Sequence, residues 1–194
     1  FSTVLIAVAI TMEAQVNYLA NLPAGYETKD IIQVQSSGIG PERGPQDALR
    51  TRLKALPQVV DAGLGISTPT SCGANGIHGE DKQLIGWMRM ADLDTTSLRI
   101  LGIKVLEKYS EFSYPKVLLT ETSRRNLGVT AEHPYVGGSY TKGEYEICGI
   151  IPDFRANTAM SKPMENEWNA IMIIDENYPY TFIQLLKVTG NHSE

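Results

Sequence analysis

The sequence has little of what several classes of protein require. Two cysteines in 194 residues exclude a scaffold held together by many disulfides. A net charge of −5, with no run of lysine or arginine, argues against binding to nucleic acid or to anionic lipid. Hydrophobic residues make up 42% and charged residues 20%, so long disorder, collagen and a coiled coil are excluded for the whole chain. A chain of this length can bury a substantial core.

The two cysteines, Cys72 and Cys148, leave the redox compartment open. A disulfide between them would close a long loop and contribute roughly 4 kcal/mol. Cys148 lies in an apolar run, which favours a small buried thiol instead. Because separation along the chain does not give the distance between Cβ atoms, both alternatives stay open.

No charged residue occurs before Glu13. Twelve helical residues rise about 18 Å, whereas the hydrocarbon core of a bilayer is about 30 Å thick. A signal peptide is disfavoured because no basic residues precede the apolar run. A core helix and the outer part of a membrane helix remain, with equal weight, and Pro23 and Gly25 end either one. We interpret a chain that starts at Phe1 and stops at Glu194 as a piece of a longer protein.

A strand, a helix and a second strand are predicted near the start of the chain. Asp30–Gln35 has the β-branched composition of a strand, and Val59–Ile66 can form another. Between Pro45 and Pro57, apolar residues recur at helical spacing: Ala48, Leu49, Leu53 and Leu56. Together these three elements have the size of a βαβ unit.

Beyond this unit, small and turn-forming residues predict a long loop over Thr68–Asp81. The remaining predicted elements are, in chain order, a strand at Gln83–Ala91, a helix at Thr95–Leu101 ended by Gly102, a strand at Val117–Thr120, a helix at Glu121–Leu127 ended by Gly128, and strands at Glu144–Ile151, Ala170–Ile174 and Phe182–Val188.

The candidate metal ligands do not form a known motif. His78, Glu80 and Asp81 stand close together, and Cys72 or His133 could complete a ligand set. Neither H-x-x-x-H nor C-x-x-C is present, however. We therefore predict a polar loop tip rather than a metal site.

A hydrolase would need a nucleophile and a base. Ser71 and Cys72 are candidate nucleophiles, and His78 and His133 are candidate bases, but the chain has no G-x-S-x-G. The glycine-rich segment Gly38–Gly44 lacks the Lys-Ser/Thr of a phosphate-binding loop. We predict no catalytic residues and no cofactor.

Five segments form a further pattern. They are Leu19–Ile32 (LANLPAGYETKDII), Ala91–Leu106 (ADLDTTSLRILGIKVL), Val117–Gly128 (VLLTETSRRNLG), Pro134–Gly137 and Glu146–Phe154 (EICGIIPDF). In this order they resemble the extracytoplasmic core domain of MacB/FtsX-type ABC-transporter permeases, most closely the branch common in Bacteroidetes. Pro134–Gly137 resembles the family's Pro-x-x-Gly turn, so we expect a turn there. Glu107-Lys108 departs from the family's Gly-Arg, and Thr120 from its Asn.

This resemblance implies an α+β fold in which a βαβ-based, porter-like subdomain carries an inserted mixed α/β lobe. Residues 1–22 would be a helix that ends a membrane helix or forms a stalk. Residues 23–68 and 170–194 would be the porter-like subdomain, incomplete at its C-terminus, with strands 30–35 and 59–66 sharing a sheet with 182–188. Residues 69–169 would be the lobe. The stalk would leave five apolar side chains uncovered by this chain: Val4, Leu5, Ile6, Val8 and Ile10.

The resemblance also implies a non-catalytic function in transport. The domain would face the periplasm from the inner membrane and pass ATP-driven motion to a substrate or a periplasmic partner. Its partners would be the rest of the permease, a cytoplasmic ATPase and a second copy in a homodimer, with a periplasmic adaptor protein as a further candidate. Flanking helices would hold it in the membrane, and it would bind no nucleic acid and no nucleotide. The alternatives are a free-standing periplasmic ligand-binding or adhesin-like domain, and a hydrolase.

The predicted contact surface lies in the lobe. Methionine and tryptophan in one stretch are typical of adaptable contact surfaces, and a glycine-rich loop is typical of a mobile one. The alternative for the methionine-rich stretch is a flap packed on the sheet. The predicted contact residues are Met160, Met164, Trp168, Asn75 and His78.

Overall fold

Strands outnumber helices among the residues that the structure describes. The computed structural model describes residues 2–35, 43–79, 81–138, 143–156, 166–175, 178 and 180–189. Within these ranges the helices are α1 (Ser2–Ala20), α2 (Arg43–Lys54), α3 (Thr95–Ile100) and α4 (Glu121–Leu127). The strands are β1 (Ile31–Gln35), β2 (Val59–Gly65), β3 (Gly73–His78), β4 (Leu84–Leu93), β5 (Glu107–Lys108), β6 (Val117–Thr120), β7 (Tyr135–Gly138), β8 (Gly143–Ile151), β9 (Glu167–Ile173) and β10 (Ile183–Val188).

Helix α1 forms as predicted, and its apolar side chains face outward. The five side chains expected to stay uncovered are between 50% and 67% exposed: Val4, Leu5, Ile6, Val8 and Ile10. Burial in the core of this chain is therefore excluded for them. Within the described ranges, no helix combines the length and the hydropathy needed to cross a membrane.

The predicted βαβ unit is present in split form. Strand β10 lies between β1 and β2 and is antiparallel to both, so β1 and β2 run parallel to each other. The prediction that these three strands share a sheet is confirmed. Helix α2 covers one face, where Leu53 packs against a small core of Ala62, Leu186 and Val188.

The rest of the sheet is mixed. Strand β4 is parallel to β9, β9 is antiparallel to β6, and β6 is parallel to β8. Strand β3 pairs with β4, while β5 and β7 pair with β8. Helices together with a mixed sheet confirm the predicted α+β class.

The two sets of strands meet at one residue pair, Gly65 of β2 with Leu93 of β4. Helix α3 reinforces this junction from one face, because Ser97 Oγ donates a hydrogen bond of 3.0 Å to the carbonyl oxygen of Leu64. The largest core cluster includes Leu185 of β10 together with Ile171 of β9, so it extends across the junction. The division into residues 23–68 with 170–194 and residues 69–169 stays a prediction.

Local signals set the ends of the short helices. Ser97 N donates to Asp94 Oδ1 at 2.7 Å and starts α3, while Thr120 caps α4 through Ser123 N at 3.3 Å. Gly128, with φ of 67°, ends α4, because a left-handed residue there satisfies a free carbonyl without a Cβ clash.

Two loop predictions are wrong. The Thr68–Asp81 segment contains strand β3, since residues 73–78 pair with β4, with a register shift between Ile77 and His78. The predicted turn at Pro134–Gly137 is largely strand β7. In both cases pairing with a neighbouring strand outweighs the local preference of glycine for turns.

Both cysteines are buried free thiols. Cys72 Sγ donates to the carbonyl oxygen of Pro69 at 3.5 Å, and Cys148 Sγ donates to that of Val117 at 3.4 Å. Of the two alternatives, a disulfide or small buried thiols, the structure therefore shows buried thiols.

Candidate partner-contact groove

A groove of about 970 Å³ opens between two hairpins, β3–β4 on one side and β7–β8 on the other. Its lining combines apolar and polar side chains and several glycines. The lining residues are Ile77, His78, Gly79, Lys82, Ile85, Leu127, Tyr135, Val136, Gly137, Gly138, Gly143 and Glu144.

The β3–β4 turn positions His78 at the end of its strand. Gly79 N donates to the carbonyl oxygen of Gln83 at 3.0 Å, and Lys82 N donates to that of Gly79 at 2.9 Å. Asp81 Oδ1 accepts a further bond from Gln83 N at 3.1 Å. Lys82 adopts the left-handed region with φ of 61°, which closes the turn and leaves its side chain at the groove.

Glycine allows the two hairpins to approach each other. A Cβ atom on Gly137 would lie 2.2 Å from the carbonyl oxygen of His78, and one on Gly138 would lie 2.3 Å from the ring of Tyr145. Real Cβ atoms do not tolerate such distances. The approach of β7 to β3 therefore depends on Gly137, whereas Gly138 leaves room for the Tyr145 ring of β8.

The groove has an apolar floor and a polar rim. Ile77 and Val136 are buried beneath it, at 0% and 6% exposure, and both belong to the second core cluster. Tyr135 on the rim is 52% exposed. His78 is half-buried, and its Nδ1 has no hydrogen-bond partner among the described residues. The groove can thus accept an apolar side chain and exchange hydrogen bonds with a bound chain.

Apart from Trp168, the predicted contact residues fall into three groups. His78 lines the groove. Asn75 lies on β3 opposite Met88 and is half-buried, outside the groove lining. Met160 and Met164 lie outside the described residues.

Trp168 is buried, although the sequence predicted an exposed contact residue. Its side chain is 8% exposed and belongs to the second core cluster. The indole covers Gly86, where an added Cβ would lie 2.7 Å from the ring. Strand β9 places Trp168 on the face of the sheet that the second core cluster covers, which sequence periodicity did not reveal. The contact of the Met160–Trp168 stretch with a partner stays a prediction.

Sequence reasoning missed several groove residues, notably Tyr135, Ile85 and Lys82. Tyr135 and Ile85 are large and exposed, at 52% and 42%. Their signal in the sequence is weak, because single exposed apolar residues are ordinary on strands. Their proximity depends on how two hairpins pack together.

The candidate nucleophiles and ligands are dispersed. Burial raises the pKa of the Cys72 thiol to about 11, which keeps it protonated and a poor nucleophile at neutral pH. His133 lies exposed in a turn, where its backbone N donates to the carbonyl oxygen of Thr130. Across the part of the chain that the structure describes, no group of three or more His, Cys, Asp or Glu side chains is arranged to hold a metal ion.

No protein-family model matches this sequence, and no curated protein matches it. Solved structures do share its fold. A domain of a protein assigned as a permease, from Porphyromonas gingivalis, superposes with a TM-score of 0.53 at 13% identity and covers 88% of this chain and 79% of that one. The periplasmic region of MacB from Actinobacillus actinomycetemcomitans gives a TM-score of 0.49 at 10% identity, covering 91% and 82%. The extracellular domain of the ABC-type transporter YknZ from Gram-positive bacteria gives 0.46 at 8% identity, covering 85% of each chain.

The chain shares its fold with the domain of the Porphyromonas gingivalis permease protein. The resemblance to MacB/FtsX-type permease domains predicted from the sequence is confirmed at the level of the fold. Identities of this size establish a shared architecture and not a shared function.

Proposed function

We propose that the chain is the periplasmic domain of an ABC-transporter permease subunit, which passes ATP-driven motion from membrane helices to an exported substrate or a periplasmic partner. The observation that carries this proposal is the fold shared with a permease domain. The domain is anchored in the inner membrane by flanking helices and works with a cytoplasmic ATPase and a second permease copy. It contributes no catalytic residue of its own.

The N-terminal helix supports this assignment. Helix α1 is 19 residues long and carries no acidic residue in its first turn and no basic residue in its last turn. Its apolar side chains are exposed on several sides, which suits a helix that continues from a membrane span and packs against other helices. A motion of that span would reach the body through the 21–30 connection.

Localisation and anchoring can be tested together in cells. Tyr180 is 48% exposed, and both native thiols are buried, so Tyr180→Cys provides one accessible thiol. We expect a membrane-impermeant maleimide to label this variant in cells with an intact inner membrane, and the labelled protein to sediment with membranes. Labelled protein released by osmotic shock would instead indicate the free-standing alternative, and an absence of labelling would contradict a periplasmic site.

We further propose that the groove around His78 contacts the periplasmic partner or the substrate. Its support is an apolar floor with exposed polar and aromatic side chains at the rim, as in contact surfaces generally. His78→Ala and Tyr135→Ser should leave the isolated domain folded and reduce export by the intact transporter.

The chain offers matched controls for both variants. His133→Ala changes an exposed histidine outside the groove, and Tyr180→Ser changes a tyrosine of nearly equal exposure. We expect transporters that carry either control substitution to export normally. Equal losses in groove and control variants would show that the groove is not the contact.

A further inference from the structure

Four of the five segments that resemble MacB/FtsX-type permease domains meet beside the C-terminal end of β8. Contacts join them in pairs. The joined residues are Gly25 with Asp153, Tyr26 with Phe154, Glu27 with Leu101, and Thr122 with Asp153. The residues that carry the resemblance thus gather where the chain passes from α1 into the body.

The connector, residues 21–30, leaves α1 with little freedom. Asn21 extends the helix by one residue, because its N donates to a carbonyl oxygen one turn earlier at 3.1 Å. Pro23 has a fixed φ, and a residue before proline, here Leu22, is restricted to extended conformations. The carbonyl oxygen of Ala24 already accepts a hydrogen bond of 2.9 Å from Arg155 N. Two residues with restricted backbones therefore separate the end of the helix from a bond to the body.

Gly25 lets the connector lie directly on the chain that leaves β8. Its φ of 80° is in the left-handed region. An added Cβ atom would lie 2.5 Å from the carbonyl oxygen of Asp153 and 2.6 Å from the Cα atom of Phe154. Both are backbone atoms, so a change of side-chain rotamer cannot relieve the clash. A side chain at position 25 would push the two segments apart.

The neighbouring aromatic pair fixes the connector to the core. The rings of Tyr26 and Phe154 meet edge to face, with centroids 6.5 Å apart and an interplanar angle of 72°. Phe154 is 5% exposed and belongs to the largest core cluster, against which Tyr26 also packs. Asn169 Nδ2 donates to the carbonyl oxygen of Phe154 at 3.0 Å, which ties this residue to β9. The connector is therefore held by the packed interior of the sheet.

Strand β8 leads from this contact to the candidate groove. It runs from Gly143, which together with Glu144 lines the groove, to Ile151, close to the connector. It pairs with β5, β6 and β7, so its two ends belong to one hydrogen-bonded unit. Packed side chains and rigid elements of this kind carry coupling between distant sites.

We propose that Gly25, Tyr26 and Phe154 form a joint that makes α1 and β8 move as one body. A movement of α1 then reaches the wall of the groove through β8, a consequence that rests on the function proposed above. The three residues are positioning residues. They hold the connector in place and need no contact with a substrate or partner.

Two spin labels test the joint in the full chain in detergent micelles. The native thiols are buried, so Tyr18→Cys on α1 and Tyr135→Cys on β7, 67% and 52% exposed, provide the labelled sites. Excess unlabelled chain keeps the measured distances within one molecule. By double electron–electron resonance, we expect a narrow distance distribution, and one at least twofold broader after Gly25→Ala.

Gly128→Ala is the matched control. Gly128 has a similar φ of 67°, but nothing lies within 4 Å of an added Cβ atom, so this variant introduces backbone strain without a clash. It should keep the narrow distribution. If Gly25→Ala fails to fold, Tyr26→Leu replaces it, because leucine removes the ring contact and keeps an apolar side chain. Tyr26→Phe retains the ring and should restore the narrow distribution.

The intact transporter tests the consequence. With ATP and vanadate trapped on the ATPase, the distance between the labels on Tyr18→Cys and Tyr135→Cys should stay unchanged, since both sites move together, and should shift after Gly25→Ala. The proposal is overturned by a broad distribution in the parent chain, by equal distributions for Gly25→Ala and Gly128→Ala, or by a shift of the parent distance equal to that of Gly25→Ala. Failure of the proposed function would appear separately, in the labelling of Tyr180→Cys in cells, which does not depend on the joint.

Discussion

Asp92 is a carboxylate held inside the sheet, beside the junction of β2 and β4. Burial raises its pKa to about 6, although a hydrogen bond of 3.1 Å from Ser67 Oγ to Oδ2 opposes the shift. Its Oδ1 is buried with no partner among the described residues. The native state therefore binds this proton more tightly than the unfolded chain does.

This difference in proton binding makes the stability of the fold depend on pH. Between the unfolded pKa of about 4 and the folded pKa of about 6, the native state binds more protons, so stability falls as the pH rises through this window. Asp92→Asn removes the ionisation. We expect the variant to be more stable than wild type at pH 7.5 by on the order of 2 kcal/mol, with no gain near pH 4, measured by urea unfolding.

Asp153 provides a control of opposite sign. Burial raises its pKa, but hydrogen bonds from Thr122 N at 2.9 Å and Thr122 Oγ1 at 2.6 Å lower it by more than burial raises it. The net result is a lowered pKa. Its contribution is present at neutral pH and lost on acidification. Asp153→Asn should therefore lose stability at pH 7.5. An Asp92→Asn gain of equal size at both pH values would assign the effect to packing instead of ionisation.

Gly137 determines how closely β7 approaches β3. An added Cβ would meet the carbonyl oxygen of His78 at 2.2 Å, and the backbone would have to move. Gly137→Ala should lower the free energy of unfolding by roughly 1–3 kcal/mol, measured by thermal or urea unfolding.

Gly73 is the matched control on β3, since nothing lies within 4 Å of the position that an added Cβ would take and its backbone is extended. Gly73→Ala should change the free energy of unfolding by less than about 1 kcal/mol, and any change is expected to be stabilising. Similar destabilisation by both substitutions would argue that β-strand propensity, not the approach of β7, explains the loss.

At the scale of elements, helix α1 has a surface unlike that of a core helix. Val4, Ile10 and Tyr18 are each more than 60% exposed. Deleting residues 1–22 should therefore leave the urea midpoint of the body within experimental error and reduce binding of the chain to detergent micelles. A large drop in the midpoint would show that α1 contributes to the core after all.

Local chemistry explains which elements the sequence reveals. Val117–Thr120 and Glu121–Leu127 are predicted with the bounds that the structure shows, because a buried apolar run, a threonine cap and a terminal glycine all agree. Strand β3 is missed because its residues, GANGIH, favour turns. Its pairing places Gly76 opposite Trp87, and only the partner strand shows why a small residue suits that position.

The candidate groove is predictable only in part for the same reason. His78 stands out as a polar residue in a glycine-rich segment, but Tyr135 and Ile85 come from other parts of the chain. Trp168 shows the opposite error. The composition of the Met160–Trp168 stretch predicts a contact surface, whereas strand β9 places the Trp168 side chain in the core. Side-chain chemistry is visible in the sequence, whereas the contacts between hairpins are not.

At the scale of the whole molecule, the three core clusters differ in size. The cluster beneath α2 holds three buried residues, whereas the second cluster holds twelve buried residues from β3, β4, β6, β8 and β9, among others. Fewer buried contacts give a region a lower free energy of local opening. The unit of β1, β10, β2 and α2 should therefore open more readily than the rest of the sheet.

Paired substitutions test whether this unit is separate, as the predicted subdomains require. Leu186 is 4% exposed in the small cluster, and Leu119 is 0% exposed in the second one. Truncation of a buried leucine to alanine costs about 2–5 kcal/mol where the site cannot collapse. By native-state hydrogen exchange, Leu186→Ala should speed exchange in β1, β2 and β10 and leave β6 and β8 nearly unchanged, while Leu119→Ala should do the reverse.

The junction opposes this separation, because the largest cluster extends across it from Leu185 to Ile171. If both variants accelerate exchange uniformly, that shared core makes the chain a single cooperative unit, and the division at the junction of β2 and β4 is wrong.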